Sequence, residues 1–518
     1  MKIFLPVAIV VGFAAQAVYC ESISDREAAR LLDQATWGPT PASIAEVESM
    51  GINNWLAAQF ALNTSDLPDQ QILNAAGKSN NNLAPIQAAF FQNTVGGQDQ
   101  LRQRIAFALS QMWVVSATTG LPQAYAYPPY WRIFRDNAFG NYRDIIKAVT
   151  LSPAMGAYLN MANNNKANPS KGTAANENYA RELMQLFTLG LTQLNMDGSP
   201  VLDSNQHPVP TYDQSVVTNM AKVLTGWTYP TAPNAKPKTN NPAYYFGQMF
   251  AVESEHDMTA KTIFNNLTIP ANQTAEVDLE MLLDDLMAQP TMAPFVSQQL
   301  IEHLVTSNPS PAYIKRVAQV FENDGSGVTG NLQAVITAIL TDPEARAGDG
   351  AASTAAASNF GHLREPILFI SDALRGLNAT VSAPNGITNN TTNMGQELFY
   401  PPSVFSYFSP QYRTEHGLLG PEFQIYSTQT AAERADTVNT LIYGKMGGVT
   451  VDLSPFVALA GDSAKLLDYI SYVFLHSSMS SQLRTEATAA LDAAPTAQAK
   501  AQAALYIVLT SSEYQVIQ

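Results

Sequence analysis

Apolar residues recur at helical spacing along nearly the whole chain, and that period predicts a protein built from many amphipathic helices. Ser24-x-x-Glu27 is a capping box, followed by an apolar stripe at Ala28, Leu31, Leu32 and Ala35. Thr40-Pro41 sets an N-cap before a proline at the first helical position, opening a helix that closes near Met50-Gly51. Asn53 is placed to cap the next helix, with Trp55, Leu56 and Phe60 on its inner face. Residues 101–115 read as one long helix. Residues 278–287 and 291–305 read as a pair broken at Gln289-Pro290, and 312–321 and 332–340 continue the style. Residues 431–518 hold three or four more helices. Strand signals are few. Asp197-Gly198 and Asp203-Ser204-Asn205 mark turns, so one two- or three-stranded flap is expected, with strand confined to 191–212. Residues 229–247, 345–359 and 378–396 read as long surface loops. The expected class is all-α: a large multi-helix body with a small β-hairpin flap and long aromatic, Pro-rich loops. An N-terminal helical domain is expected at 21–345, a linker with loops at 346–396, and a C-terminal helical part packed on the first at 397–518.

The first twenty residues, MKIFLPVAIVVGFAAQAVYC, follow a different rule. Lys2 supplies a positive start, Ile3 to Ala15 an apolar core, and Ala15-Gln16-Ala17 a small-residue cleavage site. The run is short for a membrane span of about 20 residues, so a signal peptide at 1–20 is expected. The protein is therefore expected outside the cytoplasm, secreted or periplasmic or at the cell surface, with no membrane span after processing. Of the 518 residues, 46% are hydrophobic, ample for a core, and only 14% are charged. Lys and Arg number 28 against 43 Asp and Glu, a net charge of −15 that argues against duplex nucleic acid as a partner. A single cysteine, Cys20, rules out a disulfide framework and a Cys-based structural zinc site.

Candidate chemistry is concentrated in two stretches. Asn176 sits at an N-cap and Gly190 at the C′ position of a helix that is apolar from Leu183 to Leu189. Glu177, Asn178, Arg181 and Glu182 interrupt its first turns. Glu177 and Arg181 are an i,i+4 pair. Glu182 lies deeper, and a buried carboxylate needs a partner or a raised pKa. Two arrangements satisfy it: a polar site built with Glu177 and Asn178, or an ion pair with Arg102 or Arg104. The second stretch is Glu253, Glu255, His256 and Asp257. It suits oxygen-rich ligation of a divalent cation with His256 and Asp257 as ligands, and it equally suits a solvated loop whose Asp257 caps the next helix. Lys261 then offers a salt bridge or a positive group for an anionic substrate. The histidines at 207, 256, 303, 362, 416 and 476 include no i,i+4 pair, and no G-x-S-x-G, P-loop or dinucleotide fingerprint occurs. Aromatics gather at 125–131, 229–246 and 399–412, where they either pin loops to the core or form stacking platforms for sugars or extended peptides.

Several stretches together resemble the domain-of-unknown-function 1800 family of exported, mostly bacterial proteins. They are Ala29-Arg30-Leu31-Leu32-Asp33-Gln34-Ala35-Thr36-Trp37-Gly38-Pro39-Thr40, then Gly51-Ile52-Asn53-Asn54-Trp55-Leu56, then the fifteen residues from Asn176 to Gly190. Leu224-Thr225-Gly226-Trp227, His256-Asp257 with Lys261, and Tyr400-Pro401-Pro402-Ser403-Val404 come next in order. The resemblance implies a helical, exported protein and no particular reaction. Many members carry a histidine where this chain has Phe187 and an acid where it has Gln185. A Trp-x-x-His segment of other members is matched only by Met112-Trp113-Val114-Val115. A metal or acid–base constellation in those relatives would lose groups here.

Two functions are expected from these features. The first is a secreted or envelope-associated protein that binds an extracytoplasmic polymer or an envelope protein. The second is a hydrolase of such a polymer, carbohydrate-like, with Glu177, Glu182 and Asp257 as its carboxylates and a divalent cation as a possible aid. Asn178, Arg181, Trp227 and Lys261 would contact the substrate. The mature chain is expected to begin near Val18 or Glu21. N-terminal sequencing of exported protein checks this, and an intact Met1–Cys20 segment would reject it.

Overall fold

The computed structural model describes residues 23–350 and 359–517, so the expected signal peptide at 1–20 and most of the loop at 345–359 lie outside the described residues. Ser24 and Glu27 close their capping box reciprocally and start the helix Asp25–Ala35. Thr40 caps Pro41–Met50 in the same way through Ser43. The next helix, Ile52–Ala61, begins two residues earlier than a cap at Asn53 would allow. Gly51, at φ +73°, ends one helix and starts the other, so no separate cap is needed. Gln289-Pro290 separates Ala275–Met287 from Met292–Leu304 as the pattern requires. Pro311–Glu322 and Leu332–Thr341 come after them.

Helix makes up 52% of the protein. Among the described residues no helix is long and apolar enough to cross a membrane. Two helices are buried along almost their whole length. In Gln100–Met112 only Ser110 is not fully buried, and in Pro366–Gly376 every residue is. The second of them falls inside the 346–396 stretch read as linker. One continuous buried core runs from Ala28 to Ile517.

Three expectations are corrected. Residues 378–396 are not a loop: Thr380–Val381 is a strand and Asn385–Asn393 a helix. Ile387, Thr391 and Met394 form a buried i, i+4, i+7 stripe that the Asn/Thr-rich composition conceals. Strand is not confined to 191–212. Four two-stranded pairs lie elsewhere: Trp227–Thr228 with Phe250–Ala251, Lys261–Thr262 with Thr268–Ile269, His362–Leu363 with Val516–Ile517, and Thr380–Val381 with Val449–Thr450. The expected flap is present, paired at Thr192–Pro210, Leu194–Pro200 and Leu202–Pro208 and held by backbone bonds such as Val201 N–H to the Gln193 carbonyl at 2.8 Å and Val209 N–H to the Val201 carbonyl at 2.9 Å. Each proline takes a non-hydrogen-bonded position of its pair, where its missing N–H costs that ladder nothing. The end of the chain holds six helices from Thr428–Ile442 to Ser512–Gln515, more than expected.

A buried polar knot ties the N-terminal motif to the rest. Arg364 donates to both oxygens of Asp33 at 2.7 Å, and His476 Nε2 lies 3.0 Å from Asp33 Oδ2. Arg364 Nε donates to the Tyr514 carbonyl at 2.8 Å, and its guanidinium sits 3.1 Å from Asp372. The bidentate geometry offsets the desolvation of both charges. Burial is the largest influence on the Asp33 carboxyl and pushes it up, but the opposing pull of Arg364 and His476 holds it below the usual range. Asp372, buried beside the negative Asp33, is pushed up to about 7. Gly38, at φ +126°, lies flat against Asp372, where a Cβ would collide with that residue's backbone and side chain.

Two outcomes are expected. Arg364→Ala leaves the Asp33 carboxylate buried and unpaired, costing about 3–5 kcal/mol, whereas Asp33→Leu with Arg364→Met restores much of the loss; urea denaturation measures both. Folded Asp372 keeps its proton up to about 7 while the unfolded chain loses it near pH 4. Stability from this residue therefore falls as pH rises between those values. Asp33, shifted the other way, stabilises above about pH 4 and loses that contribution on acidification. Asp372→Asn should flatten the decline between about pH 4 and 7 in a series of urea midpoints.

Candidate functional site

Asn176 Oδ1 accepts from the Asn178 N–H at 2.8 Å, and the Gly190 N–H closes the far end on the Met184 carbonyl. Between them the helix changes pitch, from an α-turn at Asn178–Glu182 to a π-helix at Leu183–Thr188. Thr188 Oγ1 fixes the wide turn by donating to Leu183 O at 2.7 Å. Glu177 faces outward and accepts from Gln214 Nε2 and Thr218 Oγ1 at 2.9 Å and from Arg181 at 3.1 Å. Its carboxyl is held below the usual range, chiefly by Gln214. Asn178 and Arg181 make only exposed or half-exposed contacts, to Asn160 and to Glu177 and Gln214. Glu182 has one oxygen, Oε2, buried with no hydrogen-bond partner, and burial pushes its carboxyl up. Tyr158 and Tyr212 feel its charge. Neither arginine considered for it pairs with it. Arg102 donates to the carbonyls of Phe60, Leu62 and Arg135, and Arg104 to that of His303.

His256 and Lys261 come together, but around Asp278. His256 Nε2 lies 3.1 Å from Asp278 Oδ2, Lys261 Nζ bonds the same oxygen, and all three side chains are fully buried. His256 Nδ1 lies 2.9 Å from the Thr225 carbonyl. Both ring nitrogens are thus committed to protein. Among the described residues no group of three or more His, Cys, Asp or Glu is placed to hold a metal ion. The Asp257 carboxylate accepts from Thr259 N and Oγ1 at 2.9 and 2.5 Å. The buried ammonium of Lys261 is spent on Asp278. Trp227 is buried in its strand pair, 3% exposed. The helix Gln214–Val223 stands between the two clusters: Gln214 and Thr218 meet Glu177, while Thr225 beyond its other end meets His256. Seven residues of helix rise is about 10 Å. His256 and Asp257 share no hydrogen-bond partner with Glu177 or Glu182.

A different set of titratable groups converges on a cleft. The helix Met292–Leu304 delivers Glu302 and His303, the end of Gln100–Met112 delivers Gln111 and Met112, and the π-helix delivers Leu186. The loop 404–410 and Pro421-Glu422 complete a cavity of about 60 Å³. Glu302 Oε1 accepts from Gln298 at 2.7 Å, and burial pushes this carboxyl up to about 8, with Glu422 adding to the shift. Burial pushes His303 down to about 3, reinforced by Arg104 and His362. Glu422 Oε1 lies 3.2 Å from His362 Nδ1, and its Oε2 is buried without a partner. Glu365 accepts from Gln111 Nε2 at 3.0 Å and from Gln396. Arg104 is fully buried, with Nε and Nη1 unpartnered. At neutral pH the cleft therefore holds a protonated carboxyl beside an unprotonated imidazole, a pair able to donate and to accept a proton.

This site was missed because five separate segments build it and none carries a spaced motif. Its one local signal is the dipeptide Glu302-His303 at the end of an otherwise apolar helix. Phe187, at the position where the resemblance implies a histidine in many members, stacks on Trp113 with centroids 4.4 Å apart.

Comparison with known proteins gives one match. The family model described as a protein of unknown function, DUF1800, matches residues 30–516. Neither the curated proteins nor the solved structures contain a match to the chain. The match starts within the motif helix Asp25–Ala35 and stops within the last strand, Val516–Ile517, with the buried knot and the cleft between those limits, and the chain belongs to the DUF1800 family.

Proposed function

We propose that the protein is exported and binds an extracytoplasmic polymer, one polar group of which enters the cleft at Glu302 and His303. The observation that carries this reading is the meeting of two features at one place. Phe405, 42% exposed, and Phe408 line the mouth on a proline-bounded loop, directly above a cavity walled by Glu302, His303 and Glu422. Tyr412, Leu418 and Phe423 add exposed apolar surface on the same stretch of chain. Exposed rings offer flat contact surface, while buried polar groups set orientation. The cavity, about 60 Å³, is far below the roughly 300 Å³ of a pocket that swallows a whole ligand. Only one side group is enclosed, and the rest of the polymer lies across the lip.

A second reading makes the same cleft hydrolytic. It is favoured by the opposite displacement of neighbouring groups, Glu302 up to about 8 and His303 down to about 3. Glu302 then serves as the protonated acid and Glu422 as the carboxylate, taking the roles that the sequence suggested for Glu177, Glu182 and Asp257.

A glycan and peptide array probed with the exported protein tests both. Phe405→Ala is expected to weaken capture of the bound polymer about tenfold, or 1.4 kcal/mol, with an unchanged melting temperature. Equal capture by the variant would end the cleft reading. If bound polymer is also cleaved, the rate should fall as pH rises through about 8, because the acid must hold its proton.

A further inference from the structure

We propose that Lys261 and Asp278 condense into an intramolecular amide bond, with His256 carrying the protons between them.

Lys261 lies on the strand Lys261–Thr262 and Asp278 in the first turn of the helix Ala275–Met287, 17 residues apart in the chain. Both side chains are fully buried, as is that of His256. Among the described residues Lys261 is the only buried lysine. Its Nζ donates to Asp278 Oδ2 and lies 3.4 Å from His256 Nε2, which is itself 3.1 Å from the same Oδ2. As ions the pair is short of partners. An ammonium has three donors, and this one meets two acceptors among the described residues. Asp278 Oδ1 is buried and takes no hydrogen bond among them. The other fully buried pair, Asp33 with Arg364, is bidentate and closed further by His476 and the Tyr514 carbonyl. Buried ions with unmet hydrogen-bonding groups are costly, and condensation removes both charges at once. The product would tie the strand pair Lys261–Thr262 and Thr268–Ile269 to the helix, in a chain whose single cysteine can form no internal disulfide.

The hydrogen bonds of His256 set up the chemistry. Its Nδ1 faces the Thr225 carbonyl at 2.9 Å, an oxygen that can only accept, so Nδ1 carries a proton. A neutral ring then presents a lone pair at Nε2, and Nε2 and Oδ2 are two acceptors until a proton lies between them. Transfer of one proton from Lys261 Nζ to Oδ2, along the bond they already share, puts it there and leaves an amine beside a carboxylic acid. The Nζ lone pair attacks Asp278 Cγ, one covalent bond beyond the oxygen that Nζ touches, and the C–N bond forms. Nε2 takes a proton from Nζ and passes it to the Oδ2 hydroxyl; the C–Oδ2 bond breaks and water leaves. Oδ1 remains as the amide carbonyl, and the imidazole ends as it began. In water this condensation is opposed, because amine and acid are both ionised and solvated, whereas here neither has a solvation shell. The fold holds the reacting groups in contact. Each chain reacts once, so a slow step is sufficient.

The test is a tryptic map of the denatured full-length protein by mass spectrometry. No Lys or Arg occurs at 239–260 or 262–314, so cleavage after Lys261 yields the peptides 239–261 and 262–315. Trypsin does not cleave after an acylated lysine. Expected is a single peptide, 239–315, lighter than its sequence by one water, with no backbone fragments released between Lys261 and Asp278, as a closed ring requires. Peptides 239–261 and 262–315 at full mass overturn the inference. Cleavage after Lys261 with 262–315 light by one water reports a cyclic imide at an aspartate and overturns it equally. In Asp278→Ala, checked for folding by a thermal melt, cleavage after Lys261 must return; a link that persists overturns the assignment of the partner. In His256→Gln, bond formation is expected to slow at least about a hundredfold, read as the linked fraction against time after synthesis in vitro. An unchanged rate in the folded variant removes His256 from the reaction. The wild-type map decides on the bond whether or not either variant folds.

Discussion

The pairing of Asp33 with Arg364 is the constraint on which the rest of this molecule depends. It joins the first motif helix to the short link between the strand His362–Leu363 and the helix Pro366–Gly376, more than three hundred residues later, and both partners are almost completely buried. Its consequences spread in both directions. His476 and the Tyr514 carbonyl close around it, which fixes the C-terminal helices. Arg364 immediately precedes Glu365, whose carboxylate sets the orientation of Gln111 at the cleft. A buried salt bridge is weak evidence of stability in general, because desolvation offsets most of the attraction. Its role here is better described as registration. It fixes which face of the Pro366–Gly376 helix meets the N-terminal helices, and Gly38 packs where nothing larger fits.

Much of the fold is legible in the sequence because helix caps are local. Ser24, Thr40 and Gln289-Pro290 mark their boundaries within four residues, and the structure keeps all three. What the sequence hides is long-range. Asn385–Asn393 is helical only because a stripe of three side chains finds a buried surface, and an Asn/Thr-rich composition gives no hint of that surface. The strands escape detection because each is two residues long and owes its existence to a partner elsewhere in the chain. The candidate residues divide similarly. His256 and Lys261 do meet, but the partner that unites them, Asp278, lies on a helix where it reads as an ordinary first-turn acid. Glu302 and His303 were visible only as neighbours. Their displaced protonation comes from burial together with Arg104, His362 and Glu422, residues that no spacing rule connects.

The π-helix at Leu183–Thr188 explains how the longest motif of the chain can matter without carrying the titratable site itself. The extra residue in its turn brings Leu186 to the cavity wall and leaves the Phe187 carbonyl to accept from Tyr142 Oη at 2.7 Å. Such insertions often accompany functional sites because they re-aim a few side chains without disturbing the elements on either side. The stack of Phe187 on Trp113 then secures the neighbouring Met112 at the same wall. The motif shapes one side of the cleft, while the charged groups come from elsewhere.

The wiring of the buried knot also sets the order in which the chain can become stable. Asp33 must wait for a partner 331 residues downstream and another 443 residues downstream. Closing so long a loop adds little to the equilibrium cost, which grows only with the logarithm of its length. It is slow, however, because distant contacts must be found before they give anything back. A chain emerging from its N-terminus therefore carries formed but unsealed helices, their apolar faces open, until the segment from His476 to Ile517 arrives. During that interval its open apolar faces expose it to aggregation, until the last segment seals them.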